Sequence, residues 1–342
     1  MIEKLLVLTC LLVFAAVLRG DDGPTADISN GELSVRIHLP DAKTGYYRGT
    51  RFDWSGVIYS LQYKGHEYYG PWFDKTRPEI HDFIYEGSDI VAGPCSAVTG
   101  PVDEFRPLGW EAAKPGETFL KIGVGALRKP TDLKGDARYD AYRLYEIAGP
   151  GKWTVRKGRD FVEFTQQLAD PASGYSYVYR KVVRLGKDSP EMLLEHSLRN
   201  TGDRPIDTTV YNHNFLIFDK QAPGPGMTMS LPFAIQTPRP PKADLAEIRG
   251  KELAYLKTLE GKDVVSCPVQ GFSSSSDDHQ VKIENSKLGI GMSVTGDRPL
   301  HSVNLWSIRS VMAIEPFIAV KAEPGREFKW TSTYRYYTLP KP

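Results

Sequence analysis

Apolar and polar positions alternate with a period of two through most of the chain. Residues 31–39 (GELSVRIHL), 57–63, 118–127 (TFLKIGVGAL), 175–185 (YSYVYRKVVRL) and 192–199 (MLLEHSLR) carry the pattern most plainly. A period of two puts successive side chains on opposite faces of a strand. The same reading extends to 142–147, 152–156, 161–168, 227–234, 281–283, 289–294, 302–308, 312–320 and 327–337. Turn signals separate these runs, among them Gly149-Pro150-Gly151, Gly158-Arg159-Asp160 and Asp170-Pro171-Ala172-Ser173-Gly174. Regular strand–turn spacing predicts an antiparallel all-β architecture of about fifteen strands. One weak helix is expected over 245–254. No linker or repeat interrupts the strands, so residues 21–342 are read as a single sandwich domain.

The exception is the start of the chain. Lys4 precedes a nearly unbroken apolar run over 5–18, closed by Arg19, Asp21 and Asp22. That is the length of a signal-peptide core and short of the ~20 residues that span a bilayer. Residues 1–20 are therefore read as a signal peptide. The mature chain is expected to be exported, periplasmic or secreted, with no membrane attachment after cleavage. It would keep two cysteines, Cys95 and Cys267, whose pairing is left open. A net charge of +1 with intermixed signs gives no reason to expect nucleic acid. The 18 Tyr, 14 Phe and 6 Trp suit strands; aromatic rings also stack on the C–H faces of sugars.

No Gly-rich phosphate loop opens a helix, and Gly123-Val124-Gly125 lies in a strand pattern. No Gly-x-Ser-x-Gly and no Cys/His metal spacing occurs, so no cofactor or metal is expected. What remains is imidazole and carboxylate. Residues 211–219 read Tyr-Asn-His-Asn-Phe-Leu-Ile-Phe-Asp, with His213 between Asn212 and Asn214 at the end of a β-branched run. The two amides are positioned to orient the imidazole. Glu315 lies in an apolar strand run and is followed by Pro316, which removes a ladder donor. It is either an edge residue or a carboxylate facing a cavity, where partial burial would raise its pKa. Arg48, Arg51 and Asp53 beside Trp54 form either a surface ion pair or part of a sugar site. The Gly- and Pro-rich stretch 70–110 carries His81, Asp82, Cys95, Glu104 and Trp110, and is expected to wall a cleft.

Three features in order resemble the aldose 1-epimerases, the galactose mutarotase-like proteins. They are Asn212-His213-Asn214-Phe215 after Asn200-Thr201-Gly202, Glu315-Pro316 about 100 residues later, and the closing Pro324-Gly325 turn running into Trp330 and Tyr334-Arg335-Tyr336. The resemblance implies a mostly antiparallel β-supersandwich with a carbohydrate ligand in a cleft. It implies Glu315 as the base that takes the anomeric hydroxyl proton and His213 as the acid that protonates the ring oxygen, without cofactor. The family's His-Gly-Gly and Gly-Arg-x-x-Asn-Arg motifs have no counterpart here. Arg48, Arg51, Asp53, His81, Glu104 and Asn212 are assigned to substrate binding on chemical grounds. The expected activity is mutarotation of an aldose. The alternatives are a non-catalytic carbohydrate-binding module, or a lyase or hydrolase of a larger saccharide on the same fold.

Overall fold

The computed structural model describes residues 23–134 and 137–340. The expected signal peptide, with Cys10, lies outside the described residues. These form 25 strands and two short 3-10 turns, with no α-helix among them. The strand count exceeds the sequence expectation chiefly because short strands form where no alternation marks them, as at Thr25–Ser29, Phe83–Glu86, Asp89–Ala92, Val102–Phe105 and Val265–Val269, while the strand expected over 142–147 is only Ile147–Gly149. Residues 118–127 are a hairpin of Thr118–Lys121 and Gly125–Arg128. Gly123 sits in its bend at φ +79°, where an added Cβ would lie 2.3 Å from an Asp53 carboxylate oxygen. The expected helix over 245–254 is instead a hairpin of Ala246–Arg249 and Glu252–Tyr255, turning at Gly250 with φ +60°.

Two sheets build the body. A ten-stranded sheet is centred on Tyr175–Leu185, Glu191–Asn200, Glu327–Thr338 and Ile290–Gly296. A five-stranded sheet runs in the order Val265–Val269, Ser302–Ile308, Val311–Ala322, Ile206–His213 and Val102–Phe105, all antiparallel. Val303, Leu305, Met312 and Ile314 of the smaller sheet join Leu194, Met292, Tyr334 and Tyr336 of the larger in one buried core. Face-to-face burial of two antiparallel sheets is the sandwich arrangement.

Alternation then fixes what the smaller sheet presents on its other face. Its inner set includes Asp103, Phe105, Val210 and Asn212. Its outer set includes Glu104, Tyr211, His213, Asn304, Trp306 and Glu315. The outer face is roofed by the first third of the chain. Phe52, Trp72, Val98 and Phe215 belong to a second buried cluster there, and a small sheet of Lys75–Thr76, Phe83–Glu86 and Asp89–Ala92 lies in the 70–110 stretch. Cys95 and Cys267 are both buried and free, so no disulfide joins them.

Candidate active site

His213 and Glu315 meet because their strands pair. The strand register aligns Tyr211 with Phe317 and Asn304 with Glu315. Two residues further along, His213 comes opposite Glu315, where side chains on one face are direct neighbours. Imidazole Nε2 lies 3.1 Å from a Glu315 carboxyl oxygen, with side-chain exposures of 5% and 13%.

The pair stands in a cavity of about 240 Å³ between the outer face of the small sheet and the roof. That is below the roughly 300–1,000 Å³ of pockets for drug-sized ligands and suits one small ring. Its walls include Trp72, Phe83, Tyr142, Phe215 and Trp306. Trp72 stacks on Phe215, and Phe215 stacks on the His213 ring with centroids 3.6 Å apart. Phe52 and Trp306 meet the same imidazole edge-on. The imidazole is thus held face-on by Phe215 and edge-on by Phe52 and Trp306.

Burial dominates the electrostatics. It pushes the Glu315 carboxyl up to about 7, partly offset by the Arg51 charge, reinforced by Glu104 and tempered by a hydrogen bond from Asn304. It drives the His213 imidazole well below its usual range, and Arg51 adds to this. Among the described residues the His213 Nδ1 atom has no hydrogen-bond partner, so nothing on that side stabilises a second proton. Arg51 is itself anchored. Its Nε donates to Glu104 at 2.7 Å, an Nη donates to the Tyr211 hydroxyl at 3.2 Å, and its guanidinium lies over the Phe52 and Tyr142 rings. Lys121 Nζ reaches Glu104 from the other side at 3.4 Å. Glu104 therefore stands behind Arg51 and holds it against the cavity.

The other assignments separate. Arg51, His213 and Glu315 line the cavity. Arg48 does not: it is exposed and donates to the Lys43 carbonyl. His81 is exposed and pairs with Asp140 at 2.8 Å, while its neighbour Asp82 faces the cavity, held by Ser96 Oγ at 2.5 Å. Asp53 and Asn212 lie on the inner side of the small sheet. Asn212 Nδ2 donates to Asp103, and Ser332 Oγ donates to Asn212. Asn214 Nδ2 donates to the Ile314 carbonyl at 2.8 Å. Neither amide orients the imidazole, because each faces away from it. Asp53 accepts from Ser55 and Tyr179. The fully buried Lys181 ammonium lies 2.5 Å from Asp103 and 3.8 Å from Asp53, and His196 completes this interior cluster at 3.1 Å from Asp103. Trp72, Asp82, Tyr142, Arg239, Asn304 and Trp306 are cavity residues that the sequence reading did not assign to substrate. Among the described residues no group of three or more His, Cys, Asp or Glu is arranged to hold a metal ion.

No protein-family model matches the chain, and no curated protein matches it significantly. Solved structures do. A galactose mutarotase related enzyme from Lactobacillus acidophilus superposes with a TM-score of 0.52 at 14% identity, over 92% of this chain and 98% of that one. An aldose epimerase homologue from C. elegans gives 0.52 at 14%, over 93% and 99%. A Synechocystis protein gives 0.52 at 12%, over 92% and 96%. At such identities the likeness speaks to architecture alone, and with the antiparallel two-sheet body already described it establishes that this chain adopts the galactose mutarotase-like fold.

Proposed function

We propose that the protein interconverts the anomers of an aldose by acid–base catalysis at His213 and Glu315. The observation that carries this reading is the buried imidazole–carboxyl contact of 3.1 Å in an aromatic-walled cavity. The anomeric hydroxyl and the ring oxygen are bonded to the same carbon, so an adjacent acid and base can serve both.

At neutral pH and below, burial leaves one proton on the pair, resting on Glu315 beside a neutral imidazole. Moving it across the contact gives carboxylate and imidazolium. Glu315 then takes the proton of the anomeric hydroxyl as that oxygen forms a double bond to C1. The C1–ring-oxygen bond breaks, and the ring oxygen takes the proton from His213. The open aldehyde turns about C1–C2, and the reverse transfers close the ring on the other face. Each turnover returns one proton to the pair, so no outside donor is needed. Arg51 favours the carboxylate form of Glu315, and the aromatic walls offer stacking surface to a pyranose. Residues 1–20 are proposed to direct export, which would place this chemistry outside the cytoplasm.

The test is anomer exchange measured by NMR over a panel of aldoses, with native protein, His213→Ala and Glu315→Ala. General acid–base catalysis typically contributes 10²–10⁴-fold, so each variant is expected to lose about that much. Native protein that binds a sugar without accelerating exchange would leave a carbohydrate-binding module in place of an enzyme.

A further inference from the structure

Among the described residues, the Arg, Asp, Glu and His side chains facing the cavity are each paired internally, with one exception. Arg51 is bonded to Glu104, Asp82 to Ser96, and Glu315 to His213. Arg239 also lines the cavity, and its guanidinium has no hydrogen-bond or ion-pair partner among the described residues. It sits in Thr237-Pro238-Arg239-Pro240-Pro241. Flanking prolines restrict the backbone, and the Arg239 amide donates to Thr237 Oγ1 at 3.2 Å while Thr237 Oγ1 donates back to the Arg239 carbonyl at 3.1 Å. A stiff loop thus presents an exposed, uncompensated cation at the mouth.

Its place in the cavity is equally specific. Ser266 lines the cavity from the edge strand Val265–Val269, and the charge of Arg239 acts on neighbouring Cys267. Glu315 is two strands further in, with Ser302–Ile308 between them. At about 4.8 Å per strand, the acid–base pair and the edge strand beneath Arg239 are separated by roughly 10 Å. Arg51 and Glu104 are the charges that act on Glu315. A sugar with its anomeric carbon at the pair and its far end toward the edge strand would bring that end within reach of Arg239.

We infer that the cavity takes an aldose carrying an anionic substituent remote from the anomeric carbon, with the anion held by Arg239. A guanidinium fork matches carboxylate, phosphate and sulfate oxygens. The inference rests on the cavity being a saccharide site, though not on turnover there.

The probes are glucose, glucuronate, glucose 6-phosphate and glucose 6-sulfate, titrated into native protein and into Arg239→Gln and Arg239→Lys by NMR and calorimetry. At least one anionic sugar is expected to bind native protein about tenfold or more tighter than glucose, and comparing the three identifies the anion. The ratio should collapse toward one in Arg239→Gln and persist in part in Arg239→Lys. Arg239 is exposed, so both variants are expected to keep the native thermal transition. Equal affinity for glucose and all three anionic sugars, or a preference untouched by Arg239→Gln, overturns the inference. Anomer exchange is recorded on the same samples. Anionic preference without exchange supports this inference and removes the mutarotase reading, whereas exchange of glucose with no anionic preference does the opposite.

Discussion

Glu315→Gln should make the protein more stable in a way that depends on pH. In the folded chain the Glu315 carboxyl titrates at about 7, against 4.5 for the unperturbed group. The folded state therefore binds this proton more tightly than the unfolded state. Stability from the group is fully present below pH 4.5 and is lost as pH rises through 7. Each pH unit across that window costs up to about 1.36 kcal/mol. The two titrations give a penalty on the order of 0.8 kcal/mol at pH 5 and about 3.3 kcal/mol at pH 8. Glutamine keeps the shape and the neutral hydrogen-bonding character of the acid form without titrating. The variant should therefore gain about 2.5 kcal/mol relative to native protein between pH 5 and pH 8. Urea unfolding at both pH values, with the slopes checked for equality, measures this difference. The buffer and ionic strength are held fixed, and the His213 contribution cancels to the extent that it is common to both chains. A native-to-variant difference that does not change with pH would falsify the raised carboxyl, and with it the account of where the shared proton rests.

Three further outcomes follow from the same geometry. Anomer exchange should fall above pH 7 as the single proton leaves the pair, to about a tenth of its plateau by pH 8; a rate that rises through this range would refute the proton count. Glu104→Gln removes a negative charge that raises the Glu315 carboxyl, so the alkaline limb of the pH profile should move to lower pH, and a shift upward would contradict the assigned sign. Lys181→Met leaves Asp103 buried without its ammonium partner and should cost about 3–5 kcal/mol in urea unfolding, while a loss below ~1 kcal/mol would show that the interior cluster is not held by charge pairing.

How much of this was legible in the sequence differs by element. Alternation identifies Tyr175–Leu185, whereas Ile206–His213 shows only as a β-branched run because its last four residues are buried on both faces. The same period of two excludes Asn212 from the face that His213 occupies, a consequence carried by the sequence itself. The stretch 245–254 misleads because Leu245, Ala246 and Leu253 suit a helix face as well as a hairpin, and only Gly250 marks the turn. His213 and Glu315 are recognisable as unusual residues, but their contact depends on two strands about 100 residues apart lying side by side, which no local pattern encodes. Trp306, Tyr142 and Arg239 were missed for the same reason, since strand order and loop path place them at the cavity. Arg48, by contrast, looks like part of a site on paper because Arg51 is three residues away, yet its chain position puts it outside the roof.

The two polar networks on either side of the small sheet are assembled from consecutive residues: Asp103 with Glu104, and Asn212 with His213. One member of each couple faces the interior Lys181 cluster and the other faces the cavity. Sliding either strand by one residue would carry Glu104 or His213 inside and expose its neighbour to the cavity. Such a slip would dismantle the fold's charged interior and the His213–Glu315 contact together. Single-residue insertions and deletions in these strands therefore cannot reshape the cavity without also disrupting the interior. The roof segments and the proline-braced loop around Arg239 lie outside these strands and can lengthen, shorten or exchange side chains without moving the floor beneath them.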